Sequence, residues 1–168
     1  MRIGQVVTAA AVAVTLTGGA LCTAPAAVAA EKCTTSSKSL DMPQYSGPWP
    51  DNWDFTVKVC ARRSGSNVSA WARVEWNAPT SAEQVATFDA ARVRVQVKRS
   101  QSGTDPMLKS GTYDFRSRAE DGDGSYTSGT VTAALGKKQG LGDAELLLDW
   151  NNDGEGEAVH LFSATPAV

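Results

Sequence analysis

The chain contains little of what most catalytic sites need. Its 168 residues include one histidine, His160, and no Gly-x-Ser-x-Gly, Cys-x-x-Cys or phosphate-binding glycine motif. A serine–histidine–acid triad needs a histidine beside a serine, and a zinc site needs several histidine or thiolate ligands. These absences disfavour hydrolytic, thiol-redox and nucleotide-dependent chemistry. We therefore expect a protein that is not an enzyme and requires no cofactor, with a hydrolase as the least favoured alternative.

Positive charge is also scarce. The sequence has 16 Lys and Arg residues against 18 Asp and Glu residues. Arg2 is the only charged residue in the first 29 positions, so the rest of the chain carries 15 − 18 = −3. Nucleic-acid binding depends on a basic excess that displaces counterions. We therefore expect no nucleic-acid partner.

Long apolar runs are confined to the start of the chain. Arg2 precedes an alanine- and valine-rich run at Val6–Leu16, and Ala27-Val28-Ala29 fits a small-residue cleavage site. The run is too short and too interrupted for a good spanning helix. The pattern predicts a secretory signal peptide over residues 1–29, a secreted, extracellular location and no membrane span in the mature protein.

Only two cysteines, Cys33 and Cys60, follow the predicted signal peptide. Two cysteines in an exported chain most simply form one disulfide bond. Cys60 falls on the polar face of a predicted strand. We therefore expect the bond to hold an N-terminal arm, residues 30–52, across the outside of the sheet, with a short edge strand around Lys38–Asp41.

The stretch from Trp53 to Trp76 has the pattern of an antiparallel hairpin. Apolar residues alternate with polar ones on both sides of the turn residues Ser64-Gly65-Ser66-Asn67. Further alternating segments are Ala91–Arg99, Gly111–Arg118, Ser125–Leu135, Ala144–Trp150 and Glu157–Ser163. Residues 53–168 are therefore predicted to form an all-β domain, an antiparallel β-sandwich of about seven or eight strands. A small closed β-barrel is the alternative.

An acidic loop near the C-terminus is the one candidate metal site. Asp149, Asn151, Asp153 and Glu157 place oxygen side chains at positions 1, 3, 5 and 9, and a glycine stands at position 6. Over these nine residues the spacing resembles the calcium loops of dockerin-type and propeller-type proteins. The resemblance implies a structural calcium ion. It departs at position 12, where His160 replaces the bidentate Glu of an EF-hand. An ordinary acidic hairpin turn is the alternative.

The aromatic residues suggest a binding surface. Three of the five tryptophans fall on predicted core faces: Trp53, Trp76 and Trp150. Trp71 instead shares a polar face with Arg73 and Glu75, and Trp49 lies in the arm. Exposed tryptophans suit sugar stacking or the hot spot of a protein interface. We predict a binding region of Trp49, Trp71, Arg73 and Glu75, unless the arm covers Trp71.

These features favour a secreted, non-catalytic binding or adaptor module that engages a secreted or cell-surface protein in an extracellular assembly. The arm could add a strand to a sheet edge of such a partner. One alternative is a carbohydrate-binding module for a cell-surface polysaccharide. Another is a protease inhibitor or toxin-like effector that presents Ser100–Pro106 or Gly47–Pro50 as a rigid loop.

Overall fold

The computed structural model describes residues 31–43, 45–80 and 87–168, so the predicted signal peptide lies outside the described residues. The described part contains nine strands and one short helix. In chain order they are β1 (Glu31–Leu40), β2 (Trp53–Ser64), β3 (Asn67–Asn77), β4 (Phe88–Arg99), β5 (Met107–Asp114), α1 (Arg116–Ala119), β6 (Gly124–Thr127), β7 (Val131–Ala134), β8 (Gly140–Trp150) and β9 (Ala158–Leu161). The predicted all-β class is confirmed.

The strands form two antiparallel sheets that pack face to face. Sheet A has the order β1-β2-β3-β6, and β7 also pairs with β3. Sheet B has the order β5-β4-β8-β9. The predicted sandwich is confirmed, and the alternative of a closed barrel is wrong, because the described strands form two separate sheets.

The β2–β3 hairpin fixes the register of sheet A. The strands pair from Asp54 opposite Asn77 to Ser64 opposite Asn67, which leaves Gly65 and a serine as a two-residue turn. Gly65 has φ 57, and a glycine at the first central position suits a type II′ hairpin turn. The predicted turn is therefore confirmed.

The core lies between the two sheets. Its largest fully buried side chains include Trp53, Phe55, Phe88, Phe115, Leu146 and Leu148. An aromatic group closes one end, where Phe88 packs between Trp53 and Trp150 at ring-centroid distances of 4.9 and 4.8 Å. The three tryptophans predicted to be in the core are all buried there.

The N-terminal arm differs from its prediction. Residues 31–40 form one long edge strand, and Cys33 lies directly opposite Cys60 of β2. The Cys33–Cys60 disulfide is confirmed, with a Cα–Cα distance of 4.1 Å. It joins neighbouring strands within one sheet and does not hold an arm across the sheet. The serines and threonines of β1 permit this because the outer positions of an edge strand need no apolar side chain.

Two predicted strands end early or divide. The strand expected over Ser125–Leu135 is split into β6 and β7. Between these two strands, the Ser128 side chain takes the place of a backbone acceptor, because it accepts a hydrogen bond from the Ala72 backbone N–H at 3.0 Å. Gly129 packs closely against Tyr113 at this break in the strand. A Cβ added to the glycine would lie only 2.6 Å from the tyrosine ring. The strand expected to reach Arg118 gives way to α1 after Asp114.

The C-terminal residues also belong to the sandwich. Phe162, Thr165 and Val168 donate backbone hydrogen bonds to Ala144, Gly142 and Gly140 of β8. Residues 162–168 therefore extend β9 irregularly along β8. Lys32 and Ser36 of β1 contact the same segment, through the Ala167 carbonyl and the Ser163 N–H.

Reducing the Cys33–Cys60 bond should loosen β1 in particular. β1 places no large apolar side chain fully in the core, so its attachment depends on the disulfide, on backbone hydrogen bonds and on polar side-chain contacts. The bond closes a loop with a sequence separation of 27. We expect the free energy of unfolding to fall by about 3–4 kcal/mol in the chain-entropy model.

Hydrogen exchange measured with and without a reductant tests this expectation. The amides of β1 should exchange faster after reduction, while those of β4 and β8 serve as the internal control. Unchanged β1 exchange would show that the disulfide does not hold the strand.

Candidate binding face

The outer face of sheet A is built from alternate residues of its strands. On β2 and β3 the outward pairs are Thr56 with Glu75, Lys58 with Arg73, Cys60 with Trp71 and Arg62 with Ser69. Because side chains alternate between faces with period 2, these residues form adjacent rows on one surface. We call Lys58, Arg62, Trp71, Arg73 and Glu75 the Trp71 face.

Trp71 lies half-buried at the centre of this face, beside the disulfide. The Arg62 guanidinium carbon lies over its ring at 5.6 Å from the centroid. Arg62 is two residues along β2 from Cys60, the residue opposite Trp71, so the contact is a diagonal one across the strand pair. The arm runs alongside β2 in the same sheet, and the alternative in which it covers Trp71 is therefore wrong.

Cations outnumber carboxylates on the Trp71 face. Lys58 lies directly opposite Arg73, an arrangement of like charges that weakens strand pairing. Arg73 donates to Glu75 at 2.7 Å and to the Ser125 hydroxyl at 3.1 Å. Within the described part of the chain, Lys58 and Arg62 form no ion pair within 4.0 Å. The face therefore holds two cations without a close ion pair beside a tryptophan, and Glu31 of β1 lies opposite Arg62.

Hydroxyl groups surround the Trp71 face. Ser37 is hydrogen-bonded to Thr56 across β1 and β2 at 2.8 Å, and Ser69 to Thr132 across β3 and β7 at 2.8 Å. These bonds join side chains of neighbouring strands on the outer surface. The surface around the one aromatic ring is consequently polar.

The structure divides the predicted binding region. Trp71, Arg73 and Glu75 share the Trp71 face, as predicted from their alternation. Trp49 is 62% exposed and lies in the β1–β2 connection, in which Met42 is buried in the core. Cys60, opposite Trp71, is seven residues or about 23 Å along β2 from Trp53, where that connection ends. Trp49 therefore lies in the connection at the Trp53 end of β2 and not in the strand rows that hold Trp71.

Sequence analysis missed Arg62 and Lys58 as members of the face. Their alternation with Cys60 placed them on the polar side of β2, which was a usable signal. The register that brings Arg62 over Trp71 and Lys58 opposite Arg73 was not readable from the sequence.

The acidic β8–β9 loop is held by contacts within the protein. Glu157 forms an ion pair with Arg92, and Asp153 accepts a hydrogen bond from the Glu155 N–H at 2.8 Å. The turn has left-handed backbone at Asn152 (φ 59) and Gly154 (φ 71). Asn151 donates its backbone N–H to the Thr87 carbonyl at 3.0 Å.

The carboxylates of this loop do not converge. Across residues 31–43, 45–80 and 87–168, the one group of three carboxylate, thiol or imidazole ligands within 4.8 Å of each other is Glu31, Cys33 and Cys60, around the disulfide. The structure thus does not bring Asp149, Asp153 and Glu157 together, and calcium binding stays a prediction.

A cleft of about 620 Å³ lies at one end of the sandwich, lined by Trp53, Ala78, Pro79, Thr80, Thr87 and residues 119–123. Two of its carboxylates already have partners. Asp123 accepts a hydrogen bond from the Ala78 N–H at 2.7 Å, and Glu120 pairs with Arg116 at 3.2 Å. The Asp123 contact holds the segment before β6 against the end of β3.

His160 points inward from β9. Its Nε2 is buried without a hydrogen-bond partner among the described residues. Burial, together with the charge of Lys38, lowers the pKa of His160 from its ordinary value of 6.5. Desolvation disfavours the charged imidazolium, which explains the direction of the shift.

Comparison with protein-family models, with curated proteins and with solved structures finds no match to this chain. The described residues include no helix long and apolar enough to cross a membrane.

The lowered pKa of His160 predicts a loss of stability in acid. Above pH 6.5 the imidazole is neutral in both states and makes no pH-dependent contribution. Below pH 6.5 the unfolded chain binds the proton before the folded protein does. The free energy of unfolding therefore decreases as the pH is lowered. His160→Gln, which cannot titrate, should reduce this dependence.

Denaturant unfolding of both proteins at pH 7.5 and pH 5.5 measures the difference. Subtracting the variant's change with pH removes the contribution of the carboxylates. An identical pH dependence in the two proteins would contradict the prediction.

Proposed function

We propose that this chain is an exported, non-catalytic binding module that engages a protein partner through the Trp71 face. The observation that carries the proposal is the Arg62–Trp71 contact beside the unpaired Lys58. Tryptophan and arginine are the residues most enriched at the energetic centres of protein interfaces. The disulfide and the alanine-rich start of the sequence support export.

The size of the sheet supports a protein partner. Four strands spaced about 4.8 Å apart, with about 36 Å of length in β3, give a face of roughly 700 Å². A standard protein–protein interface buries about 800 Å² on each partner. One side of sheet A is therefore large enough to form most of such an interface.

Charge defines the surface that would fit. Lys58 and Arg62 form no close ion pair among the described residues, although Glu31 lies opposite Arg62, and Arg73 is paired with Glu75. An acidic partner patch would neutralise these cations and accelerate association. We therefore infer a partner that presents carboxylates around an apolar or aromatic residue that contacts Trp71.

Trp71→Ala should weaken the complex strongly. Truncating a hot-spot residue costs about 2 kcal/mol or more, which is about a 30-fold loss of affinity. The partner would be identified by cross-linking the tagged chain in the medium of the producing cells, followed by mass spectrometry. Calorimetry with the purified partner would then give the affinity.

Trp49→Ala is the matched control because Trp49 is an exposed tryptophan outside the Trp71 face. It should change the affinity less than about twofold. Lys58→Glu should slow association and remove its salt dependence. Equal affinities for the wild type and Trp71→Ala would rule out the proposed face, and a wild type that forms no complex would rule out the function.

An acidic polysaccharide is the second candidate ligand. The rows of serine and threonine beside Trp71 favour it, because hydroxyls can hydrogen-bond sugar hydroxyls. Against it, Arg62 already occupies one side of the ring that a sugar would stack on. The tryptophan fluorescence of the wild type should then respond to anionic polysaccharides, while that of Trp71→Phe should not. No response to a panel of neutral and anionic polymers would remove this candidate.

A further inference from the structure

Trp49 is an exposed tryptophan on a loop that is fixed by its own contacts. Its side chain is 62% exposed, whereas every other tryptophan of the chain is buried or half-buried. It lies in the β1–β2 connection, where Met42 is buried in the core and Asn52 donates a hydrogen bond to Asp41. The connection is therefore anchored below and joined across its two ends, while the indole stays in solvent.

Tyr45 and two prolines hold the backbone on both sides of Trp49. The Trp49 N–H donates to the Tyr45 hydroxyl at 3.3 Å, and Gly47 packs directly against the Tyr45 ring. Pro48 and Pro50 each fix their own φ, and a residue that precedes a proline is confined to extended backbone. Little conformational entropy would therefore be lost when a partner binds the indole, which favours affinity.

Carboxylates are concentrated at the end of the sandwich that carries Trp49. The described parts of the connections at this end, within residues 41–52, 78–87, 115–123 and 151–157, have a net charge of 2 − 8 = −6. The eight carboxylates are those of Asp41, Asp51, Glu120, Asp121, Asp123, Asp153, Glu155 and Glu157. The β2–β3, β4–β5 and β7–β8 connections at the opposite end contain two lysines and one aspartate, so the negative charge belongs to one end.

Most of these carboxylates have no cation of their own. Arg116 pairs with Glu120, Arg92 of β4 pairs with Glu157, and Arg118 lies over a tyrosine ring. The other six form no ion pair within 4.0 Å among the described residues. The terminal five residues of the strands at this end carry three cations and five carboxylates, so they do not neutralise it. Repulsion between like charges destabilises the folded protein, and a cationic partner would relieve it.

We propose that the β1–β2 connection docks on a basic protein surface, with the Trp49 indole in an apolar pocket of that surface. Tryptophan is among the residues that contribute most to the binding energy of protein interfaces. Lysines and arginines around the pocket would face the carboxylates around Trp49. These charges would select the partner and accelerate association, while the indole would provide most of the affinity.

A second copy of this chain does not have the required charge. On its Trp71 face, Lys58, Arg62 and Arg73 are opposed by Glu31 and Glu75, which leaves a net charge of 3 − 2 = +1. That charge cannot balance six unpaired carboxylates. A metal ion does not fit either, because no three of the described carboxylates at this end lie within 4.8 Å of one another. The partner is therefore a different protein with a large basic excess.

This surface is separate from the Trp71 face and does not depend on the function proposed for it. Trp49 lies in the connection at the Trp53 end of β2, whereas Trp71 lies in the strand rows of sheet A. One chain would then bind an acidic partner through one surface and a basic partner through the other. Such a chain would link the two partners.

A fluorescence titration with defined peptides tests the proposal in the Trp71→Phe background, where Trp49 is the exposed tryptophan. The probe is a soluble amphipathic peptide built from lysine and leucine. One control peptide replaces each lysine with glutamate, and a second replaces each leucine with serine. We expect the lysine–leucine peptide to shift the Trp49 emission to shorter wavelength and to protect it from acrylamide, and both control peptides to bind at least about tenfold more weakly.

Trp49→Ala should weaken binding of the lysine–leucine peptide by more than about tenfold when affinity is measured by calorimetry. Trp71→Ala is the matched control and should change this affinity less than about twofold. The two substitutions are expected to have the reverse effects on the partner of the Trp71 face. Failure of one surface is thereby distinguished from failure of the other.

The double substitution Asp121→Asn with Glu155→Gln should slow association and reduce its salt dependence. Neither side chain makes a hydrogen bond or an ion pair within the described part of the chain, so the fold should be unaffected. Asp105→Asn, in the β4–β5 connection at the opposite end, removes a carboxylate outside the proposed surface and should leave association unchanged.

Equal affinities of the wild type and Trp49→Ala for the lysine–leucine peptide would overturn the proposal. So would equal binding of the lysine–leucine and glutamate–leucine peptides, or an absence of binding to any of the three. Sedimentation velocity provides the last test. A wild-type oligomer that both Trp49→Ala and Trp71→Ala disperse would show that a second copy occupies this surface, which also contradicts the proposal.

Discussion

The antiparallel register between β2 and β3 is the constraint on which the rest of the structure depends. It places Val57, Val59, Val74 and Trp76 in the core and, on the other side of the same strands, Lys58, Trp71 and Arg73 on the surface. A slip of one residue would exchange the two faces, burying the charges and exposing the core. The Gly65 turn and the buried apolar rows together prevent that slip.

The same register explains why a disulfide lies beside the candidate binding residue. Cys60 stands opposite Trp71 on one side and opposite Cys33 on the other, so three strands meet in one row. The bond holds an edge strand that buries little apolar surface. It therefore adds a covalent link to the backbone ladder that joins β1 to β2.

β1 and β9 are edge strands of the two sheets, and their side chains differ in chemistry. β1 is hydroxyl-rich, basic and covalently fixed, while β9 is short, uncharged and exposes Val159 and Leu161. A sheet edge always leaves backbone groups unpaired, and side chains decide whether that edge repels or accepts another strand. β1 and β9 therefore differ in side-chain chemistry although they lie on the same side of the sandwich.

The sequence by itself determined the fold class, the hairpin, the buried tryptophans and the disulfide, because period-2 alternation and cysteine counting are local signals. It also placed Trp71, Arg73 and Glu75 on one face. Only the tertiary structure decided that residues 31–40 pair within sheet A and that residues 162–168 run along β8. Those contacts join residues distant in sequence, and alternation within one strand does not specify which strand becomes its neighbour.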